Sequence, residues 1–572
     1  MHTADIKKIH FTGDSGRLAQ NIIQHWLLGL RESNPAILDI FRDRDHEPYR
    51  DLLPWSGEFA GKYITSAYYI YKMTGDTELY DYISRFIAEL ITYQDQNGYL
   101  GCYCKASQLT GANSHDPHNP CQTWDSWAHY HIMYGLLMWY HETGRQEYFD
   151  VILRMAELFL VMYHRADKPL LDMGFSEANF AVYHLFALLY QETGNREYLA
   201  FARKIEKELT MEGGGNYINC ALEGIEFYQC PKPRWESLHF IMGIAQMYRA
   251  TGEEKYLTAA RQIVHSILKT DVHNTGGFST EEQAVGNPYI NGVIETCCVV
   301  AFNALAFEVA MLTGEMELFD FLERSHYNAV MGSFSPSGRW STYNTPMNGT
   351  KCANFHGISF QCRPGSPELN CCSVNAPRGA SLIGQWAVME QGEELYINCY
   401  EAFCAELQDG SSITVRGDYP CNNSIQLCLD LSAKRKVFLR IPAWSKHTEI
   451  VCAGQHFAPS AGTYFALELE GRNDISLTLG WTPYIQQGEG DCAGKASIYI
   501  GPVLYAWDNG LNHAFSWGNL PALSLQEVEK LVPQRDAKGR IALHLHNGAV
   551  LTDFYHAGDG GSEYVTWLTV QE

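Results

Sequence analysis

The chain of 572 residues is poor in basic side chains, with 42 Lys and Arg against 65 Asp and Glu and a net charge of −23. It has no Lys/Arg stripe of the kind a phosphate backbone requires, which excludes nucleic acid as a partner. The negative excess serves solubility. No apolar run approaches the roughly 18 residues of a bilayer span, so no membrane association is expected. The opening stretch Met1 to Lys8 lacks the apolar segment of a signal peptide, and a soluble, cytoplasmic protein is expected. Low-complexity segments are absent as well.

Cysteine is not scarce, but its 17 copies are odd in number and scattered. In a reducing compartment that pattern argues for thiols, metal ligands or a nucleophile rather than a disulfide framework. The chain is too long for a single core, so two to four domains are expected. Aromatics make up 13% of it. Their flat apolar faces and polar edges suit sugar rings, although packing in large helical domains uses them equally well.

A weak repeat runs through the first 320 residues. A helix end meets Thr-Gly, then a short polar turn, then a new helix. The glycines are Gly75, Gly144, Gly194, Gly252 and Gly314, spaced by 69, 50, 58 and 62 residues. A glycine just past a helix takes the left-handed conformation that ends it. Five helical hairpins predict a closed toroid, an (α/α)6 barrel over residues 1–385, with an open solenoid as the competing arrangement. After residue 385 the pattern changes to short alternating runs, such as Ser424–Leu429, Lys436–Ile441, Thr463–Leu469 and Ile475–Leu479. Period two with Gly, Asp and Asn punctuation predicts antiparallel strands, as one or two β-sandwich units over 386–572.

Two segments carry chemistry. One holds Glu281 and Glu282, then Glu295-Thr296-Cys297-Cys298; the other is Asn370-Cys371-Cys372-Ser373. Three thiols and a carboxylate make a donor set that suits Zn²⁺. The spacing is not that of a Cys-x-x-Cys knuckle, and buried thiols with no ligand role fit it too. His131 and His239 each stand thirteen residues before a Thr-Gly glycine. That shared phase predicts equivalent inner-helix positions near the mouth, for sugar binding or as hydrogen-bonded core histidines. Cys102, Cys104, His115, His118 and Cys121 cluster between Gly101 and Thr123, in a long loop or a second metal site.

Glu295-Thr296-Cys297, the Cys371-Cys372 doublet and the stretch from Asp271 to Cys298 resemble glycoside hydrolase family 127, the β-L-arabinofuranosidase family. The likeness extends to Trp55-Ser56-Gly57-Glu58, to Phe438–Trp444 and to Gly501–Tyr505. It implies a helical (α/α)6 barrel with β-sandwich domains. It implies Glu295, Cys297, Cys371 and Cys372 as zinc ligands, with Cys371 also the nucleophile. The family acid/base follows a glycine; here the step reads Glu281-Glu282, which points to Glu282 with Glu281 in reserve. Tyr343 resembles a family tyrosine near the nucleophile. Trp55 and Glu58 are expected in the pocket or in helix packing.

The expected activity is retaining exo-hydrolysis of terminal β-L-arabinofuranose from oligosaccharides or glycosides. A thiolate replaces the usual carboxylate nucleophile if a metal keeps it ionised. The alternatives are a relative acting on another furanose or pyranose, a lyase or unsaturated-uronyl hydrolase on the same toroid, and a non-catalytic carbohydrate-binding protein with structural zinc. Carbohydrate is the expected partner; a homodimer is left open.

Overall fold

The five Thr-Gly steps behave as the sequence predicts. Each glycine has φ between 65° and 70°, and its N–H returns to the carbonyl four residues back, from Tyr71, Tyr140, Tyr190, Tyr248 or Ala310. The threonine does a second job. Thr143 Oγ1 donates to the Trp139 carbonyl at 2.8 Å and accepts the Arg145 N–H at 3.3 Å. The other four threonines repeat both bonds. One hydroxyl thereby ties the last helical turn to the backbone N–H that opens the next segment.

The computed structural model describes every residue except 49–52, 113–122, 354–367, 517–519 and 572. His115, His118 and Cys121 therefore lie outside the described residues, while Cys102 and Cys104 are buried.

Twelve helices position the site: α1 (Asp14–Ile22), α2 (Glu58–Thr74), α3 (Thr77–Ile91), α4 (Asp125–Thr143), α5 (Gln146–Phe159), α6 (Val182–Thr193), α7 (Arg196–Glu208), α8 (Ser237–Thr251), α9 (Glu254–Thr270), α10 (Thr296–Thr313), α11 (Met316–Ser325) and α12 (Cys371–Ser381). The even-numbered helices are largely buried. Each packs on the next, and α12 returns to α2, which closes a ring of six. The helices α3, α5, α7, α9 and α11 each pack outside the one before, and α1 packs against α12. The outer helices bury one stripe only; α3 buries Leu79, Tyr82, Ile83, Phe86, Ile87 and Leu90, at helical spacing.

One inner helix departs from the sequence expectation about apolar runs. Among the described residues, α10 alone is long and apolar enough to cross a bilayer, and 78% of that span is buried inside the protein. It is a core helix of the ring.

Helix α12 contains Pro377, which has no N–H to give the carbonyl of Ser373. Trp26 supplies the missing donor, its Nε1 lying 2.7 Å from that oxygen.

The helical region ends at Trp386 and the next strand begins at Val388. Two ten-stranded sheets follow. The runs at 424–429 and 436–441 are one strand, Ser424–Ile441, and the runs at 463–469 and 475–479 belong to Thr463–Thr478. These two long strands pair antiparallel, and the register shifts between Leu431 and Arg435. That irregularity breaks the period-two pattern and makes each strand look like two.

The helical and sheet regions are also joined out of sequence order. Strands β1 (His2–Thr3) and β2 (Ile6–Phe11) pair antiparallel with Val388–Gln391 and Phe403–Leu407 in the first sheet. A separate ribbon links β3 (Val293–Glu295) to β4 (Asn344–Pro346), with Glu295 opposite Asn344.

Candidate active site

The predicted donors converge from two helix starts. Glu295 ends β3 and precedes α10, whose first turn carries Cys297 and Cys298. Cys371 and Cys372 open α12, behind an Asn370 cap. Ser373 N–H donates to Asn370 Oδ1 at 2.8 Å, and Asn370 N–H donates to Ser373 Oγ at 3.1 Å. This reciprocal box fixes where α12 starts, and so where both thiols point. Anionic sulfur is favoured at such helix N-termini.

One donor atom from each of Glu295, Cys297, Cys371 and Cys372 lies within 4.8 Å of the others, all four residues are buried, and the set can hold a metal ion. Cys372 Sγ is 3.5 Å from Cys297 Sγ and 3.4 Å from Glu295 Oε1. Cys371 Sγ is 3.7 Å from the same oxygen and 3.9 Å from Cys372 Sγ. Cys298 points elsewhere, 3.6 Å from Glu295 Oε2 and 3.5 Å from the Glu281 carbonyl.

The electrostatics of this cluster are one-sided. Burial, reinforced by the charges of Glu282 and Cys297, holds the Glu295 carboxyl well above the usual range. Burial and hydrogen bonding to Cys297 push the Cys371 and Cys372 thiols up. Burial opposes ionisation of Cys297 too, but hydrogen bonds from Cys371 and Cys372 and the charge of Lys62 bring it well below an ordinary thiol. Fully ionised, the four donors would carry four negative charges against the single ammonium of Lys62, an excess that a bound divalent cation reduces.

Glu282 sits on a loop tied to the segment before α8. Trp235 N–H donates to the Glu282 carbonyl at 3.3 Å, and Ala284 N–H donates to the Pro233 carbonyl at 2.9 Å. The Glu282 carboxylate pairs with Arg234 and accepts from Tyr343 Oη at 3.4 Å. The β3–β4 ribbon delivers that tyrosine, since Thr296 N–H donates to the Tyr343 carbonyl at 2.9 Å. Burial and the charge of Cys371 push the Tyr343 phenol up. Glu281 is exposed and has φ 56°, in the left-handed region that favours glycine. The structure sets Arg234 against Glu282. Arg234 also pairs with buried Glu236 at 2.9 Å. Burial, offset in part by Arg234, pushes the Glu236 carboxyl up to about 8.

The two histidines of equal phase meet. The rings of His131 and His239 lie 5.1 Å apart, each edge-on to Trp127. Tyr130 Oη is 3.0 Å from His239 Nδ1. Burial lowers the pKa of both rings well below that of an ordinary histidine, and the nearby charges of Arg378 and Lys62 lower it further. Among the described residues, His131 Nε2, His239 Nε2, Trp124 Nε1 and Trp235 Nε1 are buried with no hydrogen-bond partner. Trp55 packs on Trp124 at 5.6 Å, and Arg234 lies over the same indole at 5.5 Å. Glu58 lies deeper. It accepts from Trp127 Nε1 and pairs with Lys62 at 3.0 Å. Burial, partly offset by Lys62, pushes the Glu58 carboxyl up to about 7.

Lys62, Arg234, Glu236 and Asn375 were not singled out from the sequence. Lys62 stands four residues after Glu58 of the Trp55–Glu58 stretch already noted, a spacing that pairs side chains on one helix face. Nothing local marks the other three.

Comparison with known proteins follows the same lines. The model of the β-L-arabinofuranosidase GH127 catalytic domain matches residues 30–384. Among solved structures, a glycoside hydrolase shares 18% identity at a TM-score of 0.76, covering 100% of this chain and 97% of its own. A GH127 β-L-arabinofuranosidase from Geobacillus stearothermophilus T6 shares 16% at 0.77, covering 99% and 100%. A GH127 β-arabinofuranosidase shares 17% at 0.78, covering 100% and 98%. At such identities the structural likeness is one of fold. No curated protein matches the chain.

Proposed function

Since the chain belongs to the GH127 family and is a glycoside hydrolase, we propose that it releases terminal β-L-arabinofuranose with retention of configuration, with Cys371 as nucleophile, Glu282 as acid/base and zinc held by Glu295, Cys297, Cys371 and Cys372. The observation that carries this reading is the donor set beside Tyr343, whose hydroxyl reaches the Glu282 carboxylate. Tetrahedral zinc, with bonds of about 2.3 Å to sulfur and 2.0–2.2 Å to oxygen, gives donor–donor edges of about 3.6–3.8 Å. Four of the six donor–donor distances lie at 3.4–3.9 Å and fit it, with the whole set within 4.8 Å.

In this reading Cys371 Sγ attacks the anomeric carbon while Glu282 protonates the departing oxygen. Glu282 then takes a proton from water, which attacks the anomeric carbon from the face the first oxygen left, opposite the sulfur, and restores the Cys371 thiolate. Zinc, when bound, would keep that sulfur ionised and make it a better leaving group. Glu281 in left-handed backbone fits the position that is glycine in the family, which supports Glu282 as the acid/base. The unpartnered donors of His131, His239, Trp124 and Trp235 suit hydroxyls that donate and accept, with Trp55, Glu58 and Tyr343 around them.

The ring of six inner helices supports an (α/α)6 barrel over 1–385, and the two sheets support β-sandwich units over 386–572. We place the enzyme in the cytoplasm, on short imported glycosides. The test is a screen of aryl furanosides and pyranosides beside metal analysis. One zinc per chain and preference for the β-L-arabinofuranoside are expected. Metal-free active protein, or full activity in Cys371→Ala, overturns the thiolate mechanism.

A further inference from the structure

Lys62 is fully buried, its side chain 0% exposed, on the face of α2 that meets the cluster. Its ammonium lies 3.0 Å from Glu58 Oε1 and 3.9 Å from Cys297 Sγ. The rings of Trp127 and Trp235 cover it at 5.4 and 5.0 Å. A cation removed from water in this way needs anions close by. Glu58 is one. On its other side the ammonium faces the Cys297 sulfur of the ligand set. Asn375 Nδ2 donates to that same sulfur at 3.4 Å, so two N–H donors from α2 and α12 converge on Cys297.

We infer that Lys62 is a positioning residue of the metal centre, whose buried ammonium hydrogen-bonds the Cys297 sulfur within the ligand set and offsets part of the negative charge of the loaded cluster. This rests on the ligand set proposed above. A divalent ion with three thiolates and one carboxylate leaves a net charge of about −2 in a buried site. The Lys62 ammonium offsets part of that on the cluster side, with the Glu58 carboxylate pairing it on the other. Groups behind metal ligands typically set affinity by 10–100-fold. Lys62 reaches the thiolate directly, so an effect of that size is expected.

The test is zinc affinity by chelator competition on the full-length protein, with wild type, Lys62→Met and Lys62→Met/Glu58→Gln. The double variant removes the ammonium without leaving the Glu58 charge buried alone, so it carries the test if the single variant does not fold. Both variants are expected to bind one zinc about 10–100-fold more weakly than wild type. Cobalt-loaded protein gives a second readout. Loss of an N–H donor to a thiolate moves the sulfur-to-cobalt charge-transfer bands to lower energy, which packing damage alone would not do. A folded double variant with affinity within about twofold of wild type and unmoved bands overturns the inference. Cys297→Ser tests the ligand set separately. Undiminished affinity there, or no zinc uptake by wild type, overturns the ligand set and the role of Lys62 with it. Unchanged affinity in the Lys62 variants alone overturns only the latter.

Discussion

Replacing Trp26 by Phe keeps most of a buried aromatic ring and deletes one donor. That donor, Nε1, lies 2.7 Å from the carbonyl of Ser373, which Pro377 leaves without a helical partner. An unsatisfied buried carbonyl costs about 1–3 kcal/mol. The smaller ring adds about 1 kcal/mol of lost burial. For a helical region of this length, each 1 kcal/mol lowers the melting midpoint by roughly 1–2 °C. Trp26→Phe should therefore lower it by about 2–8 °C in differential scanning calorimetry. Pro377→Ala restores an N–H that the Ser373 carbonyl can accept within the helix. In the double variant the indole is no longer needed, and the hydrogen-bond part of the loss should disappear. The expected coupling is about 1–2 kcal/mol, measured as non-additivity across the four proteins. Strict additivity would refute the account of how this helix, which carries Cys371 and Cys372, is completed.

Other outcomes follow from the site. Cys371→Ser should abolish turnover of an aryl β-L-arabinofuranoside, whereas Cys298→Ser should leave most of it, since its sulfur faces the Glu281 carbonyl. Glu282→Gln should lower kcat by about 10²–10⁴-fold, with Glu281→Gln within a few-fold of wild type; the reverse order would move the acid/base by one residue. Prolonged dialysis against a chelator should remove activity, and one equivalent of zinc should restore it. Away from the site, burial lowers the Lys351 ammonium to about 7. The folded state then holds fewer protons on this group than the unfolded state between pH 7 and 10.5, so this contribution is fully present above 10.5 and is lost as pH falls to about 7. Relative to Lys351→Met, wild type should gain stability on raising pH through this window, by on the order of 5 kcal/mol in total, read from denaturant midpoints. A flat difference would contradict the assignment.

The parts of this molecule legible in the sequence are those written locally. A Thr-Gly step needs only a helix end, a hydroxyl and a left-handed glycine, all within six residues, and each of the five forms as read. The equal phase of His131 and His239 was enough to bring their rings together. The pairs at 297 and 371 were legible as thiols, and their meeting depends on α10 and α12 being neighbours in the ring. What stayed hidden depends on contacts between distant segments. Arg234 meets Glu282 across 48 residues, and Asn375 meets Cys297 across 78. The long strands were misread because a register shift at Leu431/Arg435 interrupts their alternation. Strands β1 and β2 are too short to announce themselves without partners.

Those two strands set an order of events during synthesis. Residues 2–11 leave the ribosome before any helix of the ring, yet their partners are residues 388–407. At about 5–20 residues per second, the wait is roughly 20–80 s. Throughout that time the growing chain carries two unpaired strand edges ahead of a ring that is still being assembled. Such edges invite pairing with other nascent chains. The charged residues of the second strand, Lys7 and Lys8, sit where they would discourage it, and Lys7 later finds Glu406 at 2.7 Å.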